Sequence, residues 1–278
     1  MPELPEVETI RRGLEGSVLL TTIDGVRVHG RRSIRRQSPQ AFIDACVGRT
    51  FTSAVRRGKY LALCLDDGAF LVVHLAMSGQ LLLIEDPLSP LVAHTHVVFS
   101  LGDGRELRFV DPRTFGELFV TTTPGGNGLP GALSALGPDP LIDDLSGALL
   151  HAMCSQKNTS LKALLLDQRT IAGIGSLYAD EICFRAAVRP DRRTNTLNTK
   201  ECEVLSGALY EVLGAALARG GSSLADEGYR DLFGQLGSYQ GEHCVYGRED
   251  LGCRRCGTAI ARVRVAGRSA HFCPSCQA

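Results

Sequence analysis

No stretch of this 278-residue chain approaches the roughly 18 to 20 consecutive apolar residues that a membrane span needs. Its opening, Met1-Pro2-Glu3, has neither the basic flank nor the apolar run of a secretory signal. A cytoplasmic protein without a membrane partner is therefore expected. Net charge is also missing, because 30 Lys and Arg balance 30 Asp and Glu. Taken alone, that argues against the strongly basic domains typical of nucleic-acid binders. Internal repeats and low-complexity tracts are absent too. What remains is a globular composition, 44% apolar, with a length that suits two domains or one large domain and an appendage.

The charge balance is not local. From Arg27 to Lys59 nine basic residues stand against one acidic residue, Asp44. From Arg248 onward six arginines stand against Glu249 and Asp250, whereas 131–247 holds 10 basic and 14 acidic residues, a net of −4. The two basic blocks either form one positive face after folding or are ordinary solvated loops. Cysteine spacing is more decisive. Four of the ten cysteines sit as Cys253-x-x-Cys256 and Cys273-x-x-Cys276, 16 residues apart. Paired knuckles of this kind place four thiolates around one tetrahedral Zn²⁺ and leave no open position, so the metal should be structural. The other six, Cys46, Cys64, Cys154, Cys183, Cys202 and Cys244, read as buried small apolar residues.

Leu4, Val7, Ile10 and Leu14 recur at helical spacing after Pro5. From Ile23 to Val120 short Val-, Leu- and Phe-rich runs alternate with turn residues, the pattern of an all-β sandwich or barrel. Asp66-Asp67-Gly68 and Gly102-Asp103-Gly104 are the expected hairpin turns. Beyond a Gly-, Pro- and Thr-rich stretch, helices are predicted near 143–154, 159–167, 176–186 and 199–219, with Gly220-Gly221 as a stop. The stretch 222–247 shows no periodicity and is expected to be a loop.

Several residues invite chemistry. If Met1 is removed, Pro2 becomes a free secondary amine, which titrates near about pH 8 and forms an iminium ion on attacking an aldehyde-like carbon. The alternative is a proline that merely starts a helix. Glu3 and Glu6 lie on one face of the first turn, either as acid/base partners of that amine or as complements to the helix dipole. Gly173-Ile174-Gly175-Ser176 predicts a tight turn with Ser176 as N-cap, facing a phosphate or simply joining two helices. Lys59, Arg113 and Arg268 stand in turn-like contexts where a basic residue can meet phosphate.

In order along the chain, these segments resemble one family, the formamidopyrimidine-DNA glycosylases. The resemblance rests on Met1–Thr9, Arg57-Gly58-Lys59-Tyr60-Leu61, His74-Leu75-Ala76-Met77-Ser78-Gly79 and Asp111-Pro112-Arg113-Thr114-Phe115-Gly116. It continues through Gly173–Glu181, Val245-Tyr246-Gly247-Arg248 and the four-cysteine finger. It implies an α+β fold: an N-terminal β-sandwich domain with a leading helix (1–123) and a linker (124–140), then a helical helix–two-turn–helix domain (141–242) and a zinc finger (243–278). It also implies a bifunctional glycosylase/AP lyase of base-excision repair. Pro2 would displace an oxidised purine and hold the sugar as a Schiff base, with β- and δ-elimination following.

By the same resemblance Glu3 and Glu6 are acid/base residues, and Lys59 holds a phosphate at the lesion. Met77, Arg113 and Phe115 fill the void left by the flipped base, while His74, His94, Ser176 and Arg268 contact DNA. The implied partner is double-stranded DNA with oxidised bases or abasic sites, bound by a monomer that is nucleoid-associated in a prokaryote. Three departures stand out: Ser176 where the family usually has Asn, no lysine near Ala225, and Thr114 in place of a common basic residue. The other readings are an endonuclease VIII-like preference for oxidised pyrimidines, a lesion-binding relative with weak catalysis, and a structural zinc protein. The Leu4-Pro5-Glu6 context and the Met77, Arg113, Phe115 trio favour oxidised purines.

Overall fold

The protein is described by a computed structural model covering residues 1–122, 130–225 and 228–278. Much of the expected linker, and Asp226 and Glu227 of the loop after Gly221, lie outside the described residues. The chain divides into two compact units, Met1–Ala135 with Arg219–Ser238, and Leu136–Ala218 with Tyr239–Ala278.

The first unit opens with α1 (Leu4–Ser17), whose apolar face buries Leu4, Val7, Ile10 and Leu14. Two four-stranded antiparallel sheets follow. One contains β1 (Ile23–Val28), β6 (Thr95–Leu101), β7 (Glu106–Val110) and β5 (Gln80–Ile84), in that order. The other runs β2 (Phe51–Arg57), β3 (Tyr60–Leu65), β4 (Phe70–His74), β8 (Glu117–Thr121). Both expected turns are present: Gly68 (φ 81°) and Gly104 (φ 88°) take the left-handed backbone that closes β3–β4 and β6–β7. One helix escaped the strand pattern. α2 (Pro39–Cys46) starts on a Ser38 cap with Pro39 in its first turn.

Period-two alternation sends Leu61, Leu63, Leu71 and Val73 of one sheet into the same buried cluster as Leu81, Val97, Phe99 and Phe109 of the other. The segment 219–238, aperiodic in sequence, adds Tyr229 and Leu232 to that cluster, and Leu83 N–H donates to the Leu232 carbonyl at 2.8 Å. Burying one leucine contributes about 1.5–3 kcal/mol toward the roughly 1–2 kcal/mol per residue that ordering this irregular segment costs.

The second unit contains α3 (Gly147–Ser155), α4 (Leu161–Leu166), α5 (Ser176–Arg185) and α6 (Thr199–Ala218), then the hairpin β9 (Ala261–Val265) and β10 (Arg268–Phe272). Ser146 and Ser160 cap α3 and α4. Among the described residues no helix is long and apolar enough to cross a membrane. Cys46, Cys154, Cys183 and Cys202 are buried as expected, but Cys64 and Cys244 are only half-buried.

Candidate functional site

The start of α1 is held from several directions. Glu3 is its N-cap, and a capping box joins it to Glu6: the Glu3 N–H donates to Glu6 Oε2 at 2.8 Å. The other oxygen, Oε1, accepts the Ser222 N–H at 2.7 Å. That approach requires glycine next door, because a Cβ on Gly221 (φ 81°) would lie 2.5 Å from Glu6 Oε1. Tyr229 donates its hydroxyl to the Gly220 carbonyl at 2.9 Å. Burial, and then the Glu6 charge, push that phenol well above its ordinary value, so it remains a donor. Pro2, Glu3 and Glu6 are all buried, whereas Met1 is exposed.

Glu8 links this helix to the Lys59 turn. Its Oε2 accepts from Arg56 Nε at 3.0 Å, and Arg56 also donates to the Gly58 carbonyl at 3.0 Å. Burial would raise the Glu8 carboxyl, but hydrogen bonds from Arg11 and Arg56 hold it below the usual carboxylate range. Arg57 pairs with Tyr60, so Gly58 (φ 56°) and Lys59 form a two-residue hairpin loop with glycine at the position that demands positive φ. Across the sheet Tyr60 pairs with His74, and their rings stack at 4.3 Å. Burial first, then the charges of Lys59 and Arg35, push His74 down to about 4, so it is neutral at physiological pH.

Met77, His94, Arg113 and Phe115 lie on three short connections at the ends of β4, β6 and β7. All four are exposed, and the Arg113 guanidinium lies 5.2 Å from the Phe115 ring centroid. Large apolar side chains left in water at loop tips are available to insert into a stacked ligand.

In the second unit one expectation is corrected. Ser176 does not cap α5; Gly175 occupies the N-cap position without a side-chain bond. Extended backbone at Gly175 puts Ser176 inside the helix, where its Oγ donates to the Ser269 carbonyl at 3.5 Å. Gly173 (φ 95°) supplies the tight turn, and its N–H goes to Gln168 Oε1 at 2.9 Å. A fully buried pair joins α4 to α5, Lys162 Nζ to Asp180 Oδ1 at 2.7 Å. Lys162 also donates to the carbonyls of Ser176 (3.3 Å) and Ser269 (2.5 Å), while Asp180 Oδ2 accepts the His271 N–H at 2.9 Å. Glu181 accepts three backbone N–H groups, from Cys244, Val245 and Tyr246, at 2.8 to 3.0 Å. Burial raises its carboxyl against their pull.

Arg268 begins β10, exposed, directly after a turn in which Ala266 (φ 49°) and Gly267 (φ 77°) are both left-handed. The four knuckle thiols converge: Cys256 and Cys273 Sγ are 3.5 Å apart, Cys253 and Cys276 Sγ are 4.0 Å apart, and all four lie within 4.8 Å of one another. A tetrahedron with Zn–S bonds of about 2.3 Å has edges of about 3.8 Å, so the cluster fits one zinc ion.

The basic blocks are partly neutralised. Arg27, Arg36, Arg49 and Arg56 pair with Glu106, Glu117, Asp67 and Glu8, and Arg262 pairs with Glu249. Glu8, Asp111, Asp180 and Glu181 lie in the segments that carry the resemblance and Arg56 in a basic turn, but nothing near them in sequence points to their partners. Lys162 and Tyr229 give no signal, and Gly220-Gly221-Ser222 signals a turn, not a partner for Glu6.

Family models match three stretches: the formamidopyrimidine-DNA glycosylase N-terminal domain over residues 1–118, the H2TH domain of the same glycosylase over 136–227, and a zinc finger found in FPG and IleRS over 253–278. A curated relative, the formamidopyrimidine-DNA glycosylase of Geobacillus kaustophilus, is 42% identical over 278 residues, covering all of both chains. Among solved structures, Lactococcus lactis Fpg in complex with DNA containing an abasic site superposes with TM-score 0.90 at 33% identity, covering 99% of each chain. MutM in complex with DNA containing carbocyclic 8-oxo-G gives 0.89 at 32% identity, again over 99% of each chain.

Proposed function

The chain belongs to the formamidopyrimidine-DNA glycosylase family, and from that premise we propose that it excises oxidised purines from duplex DNA with Pro2 as nucleophile. It is a DNA glycosylase and AP lyase of base-excision repair with one structural zinc. The residue assignments are our reading.

Removal of the exposed Met1 frees the Pro2 amine, which attacks C1′ of the damaged nucleotide. The C1′–N bond breaks and the base leaves with the amine's proton; the C1′–O4′ bond then breaks as the acid/base pair delivers a proton to O4′, and the opened sugar is held as an iminium ion. Loss of a C2′ proton expels the 3′-phosphate (β-elimination), and a second elimination expels the 5′-phosphate. Glu3 and Glu6 serve as the acid/base pair, and Lys59 holds a phosphate beside the lesion. Met77, Arg113 and Phe115 fill the gap left by the extruded base, while His74, His94, Ser176 and Arg268 contact DNA. Cys253, Cys256, Cys273 and Cys276 hold the zinc, which orders the hairpin bearing Arg268. The enzyme works as a monomer in the cytoplasm, on the nucleoid, as a β-sandwich domain (1–123), a linker (124–140), a helical domain (141–242) whose 219–238 segment packs in the first unit, and a zinc finger (243–278).

The observation that carries this reading is the preorganised start of α1, where Glu3 and Glu6 are buried and hydrogen-bonded beside Pro2. Borohydride reduction on duplex containing 8-oxoguanine tests it. The native chain should be trapped covalently. Pro2→Gly, and a form that retains Met1, should lose most trapping and excision while still binding duplex. Full activity with Met1 in place would refute the nucleophile.

A further inference from the structure

The loops bearing Met77, His94, Arg113 and Phe115 converge on a buried carboxylate that the proposed chemistry does not use. Asp111 is fully buried (0% exposed). Its Oδ1 accepts from Ser78 Oγ at 2.5 Å and from the Arg113 N–H at 3.2 Å, and its Oδ2 accepts the Gly116 N–H at 2.7 Å. Its own N–H donates to the His94 carbonyl at 3.0 Å; its carbonyl accepts the Thr114 N–H at 3.2 Å and meets His96 Nε2 at 2.8 Å. Among the described residues every partner of the carboxylate is neutral: one hydroxyl and two backbone N–H groups. A carboxylate buried without a cation is a liability to the fold unless its donors are rigidly held.

The same loops carry backbone strain. Ala76 (φ 53°), His94 (φ 67°) and Thr114 (φ 55°) are left-handed without being glycine. Ala76 precedes Met77, Thr114 lies between Arg113 and Phe115, and His94 is itself a candidate DNA contact. Such conformations persist only where the surroundings over-determine them, and Asp111 touches two of the three loops through its carboxylate and the third through its N–H.

We propose that Asp111 is the positioning residue of the gap-filling wedge: it locks the Met77 loop to the Arg113–Phe115 loop before DNA arrives. The proposal rests on the reading above that these side chains replace an extruded base. Met77 and Phe115 are 39% and 50% exposed. Without the lock they would have to be ordered during extrusion, when unstacking already opposes the reaction.

Asp111→Asn and Ser78→Ala test this in the full, zinc-loaded chain. Asparagine keeps the shape but turns one acceptor into a donor facing a donor. Ser78→Ala removes a single oxygen and with it the link to the Met77 loop. Single-turnover excision of 8-oxoguanine from duplex should fall about tenfold to hundredfold in either variant. Cleavage at an abasic site in single-stranded DNA, where no base must leave a stack, should change less than about threefold. In a Met77→Ala/Arg113→Ala/Phe115→Ala background, Asp111→Asn should cost no more than about twofold further, because there is no wedge left to position.

Equal losses on both substrates, or full additivity with the wedge variants, would make Asp111 a general scaffold residue and overturn the proposal. If Asp111→Asn fails to fold, Ser78→Ala carries the same comparison. An active native chain with unaffected variants overturns this proposal alone. A native chain that neither excises nor is trapped by borohydride overturns the functional reading beneath it.

Discussion

Replacing Gly221 with alanine isolates the contact that joins the 219–238 segment to the start of α1. Gly220 and Gly221 both have left-handed backbone, φ 67° and 81°. A Cβ at 220 would meet nothing closer than 4.0 Å, whereas one at 221 would lie 2.5 Å from Glu6 Oε1 and 2.8 Å from its Cγ. Each alanine incurs the left-handed penalty of roughly 1–2 kcal/mol. At 221 the buried Glu6 side chain must also move and give up the Ser222 N–H at 2.7 Å. A hydrogen bond to a charged acceptor is worth about 1.5–3 kcal/mol. Gly220→Ala should therefore cost about 1–2 kcal/mol and Gly221→Ala about 2.5–5 kcal/mol in urea unfolding. Because Glu6 also accepts the Glu3 N–H, lesion excision should fall about tenfold to hundredfold only in Gly221→Ala. Equal stability losses in the two variants would show that Glu6 moves aside freely, and the clamp argument would fail.

Three other perturbations address the rest of the molecule. Lys162→Met leaves the Asp180 carboxylate buried without its cation, and should destabilise the protein by about 3–5 kcal/mol in chemical denaturation; a loss below about 1 kcal/mol would mean that His271 suffices as partner. His74 has a folded value of about 4 against an ordinary 6.5. The unfolded chain therefore binds the proton first: the His74 contribution is complete above pH 6.5 and lost as pH falls through 4, at most about 3 kcal/mol. His74→Gln should shrink the drop in thermal stability between pH 7 and pH 4.5, and an unchanged drop would contradict the assigned shift. Cys273→Ser should release zinc, measurable by atomic absorption, and weaken DNA binding through Arg268; retention of both metal and affinity would separate the finger from that arginine.

What could be read in advance was local. The zinc knuckles, the α1 start and the two glycine turns of the β domain each depend on residues within about five positions of one another, where spacing dictates geometry. α2 is not legible although its Ser38-Pro39 start is present, because its apolar residues merge with the surrounding strand pattern. Ser176 was expected as a cap because serine is a good one, yet the extended backbone of Gly175 moves the helix boundary one residue earlier. The partners were not legible: Glu6 and Ser222 are 216 residues apart, and Asp180 and His271 are 91 apart.

By itself, then, the sequence determined the metal knuckles, every long helix and most strands, α2 excepted, because those choices are settled by short-range sterics, hydrogen bonding and ligand spacing. Tertiary structure alone decided that an aperiodic stretch after α6 returns to hold Glu6, that Asp111 receives two loops, and that Lys162 lies buried against Asp180. Those outcomes depend on which polar groups lose water together, and desolvation is a property of packed surfaces that no run of neighbouring residues encodes.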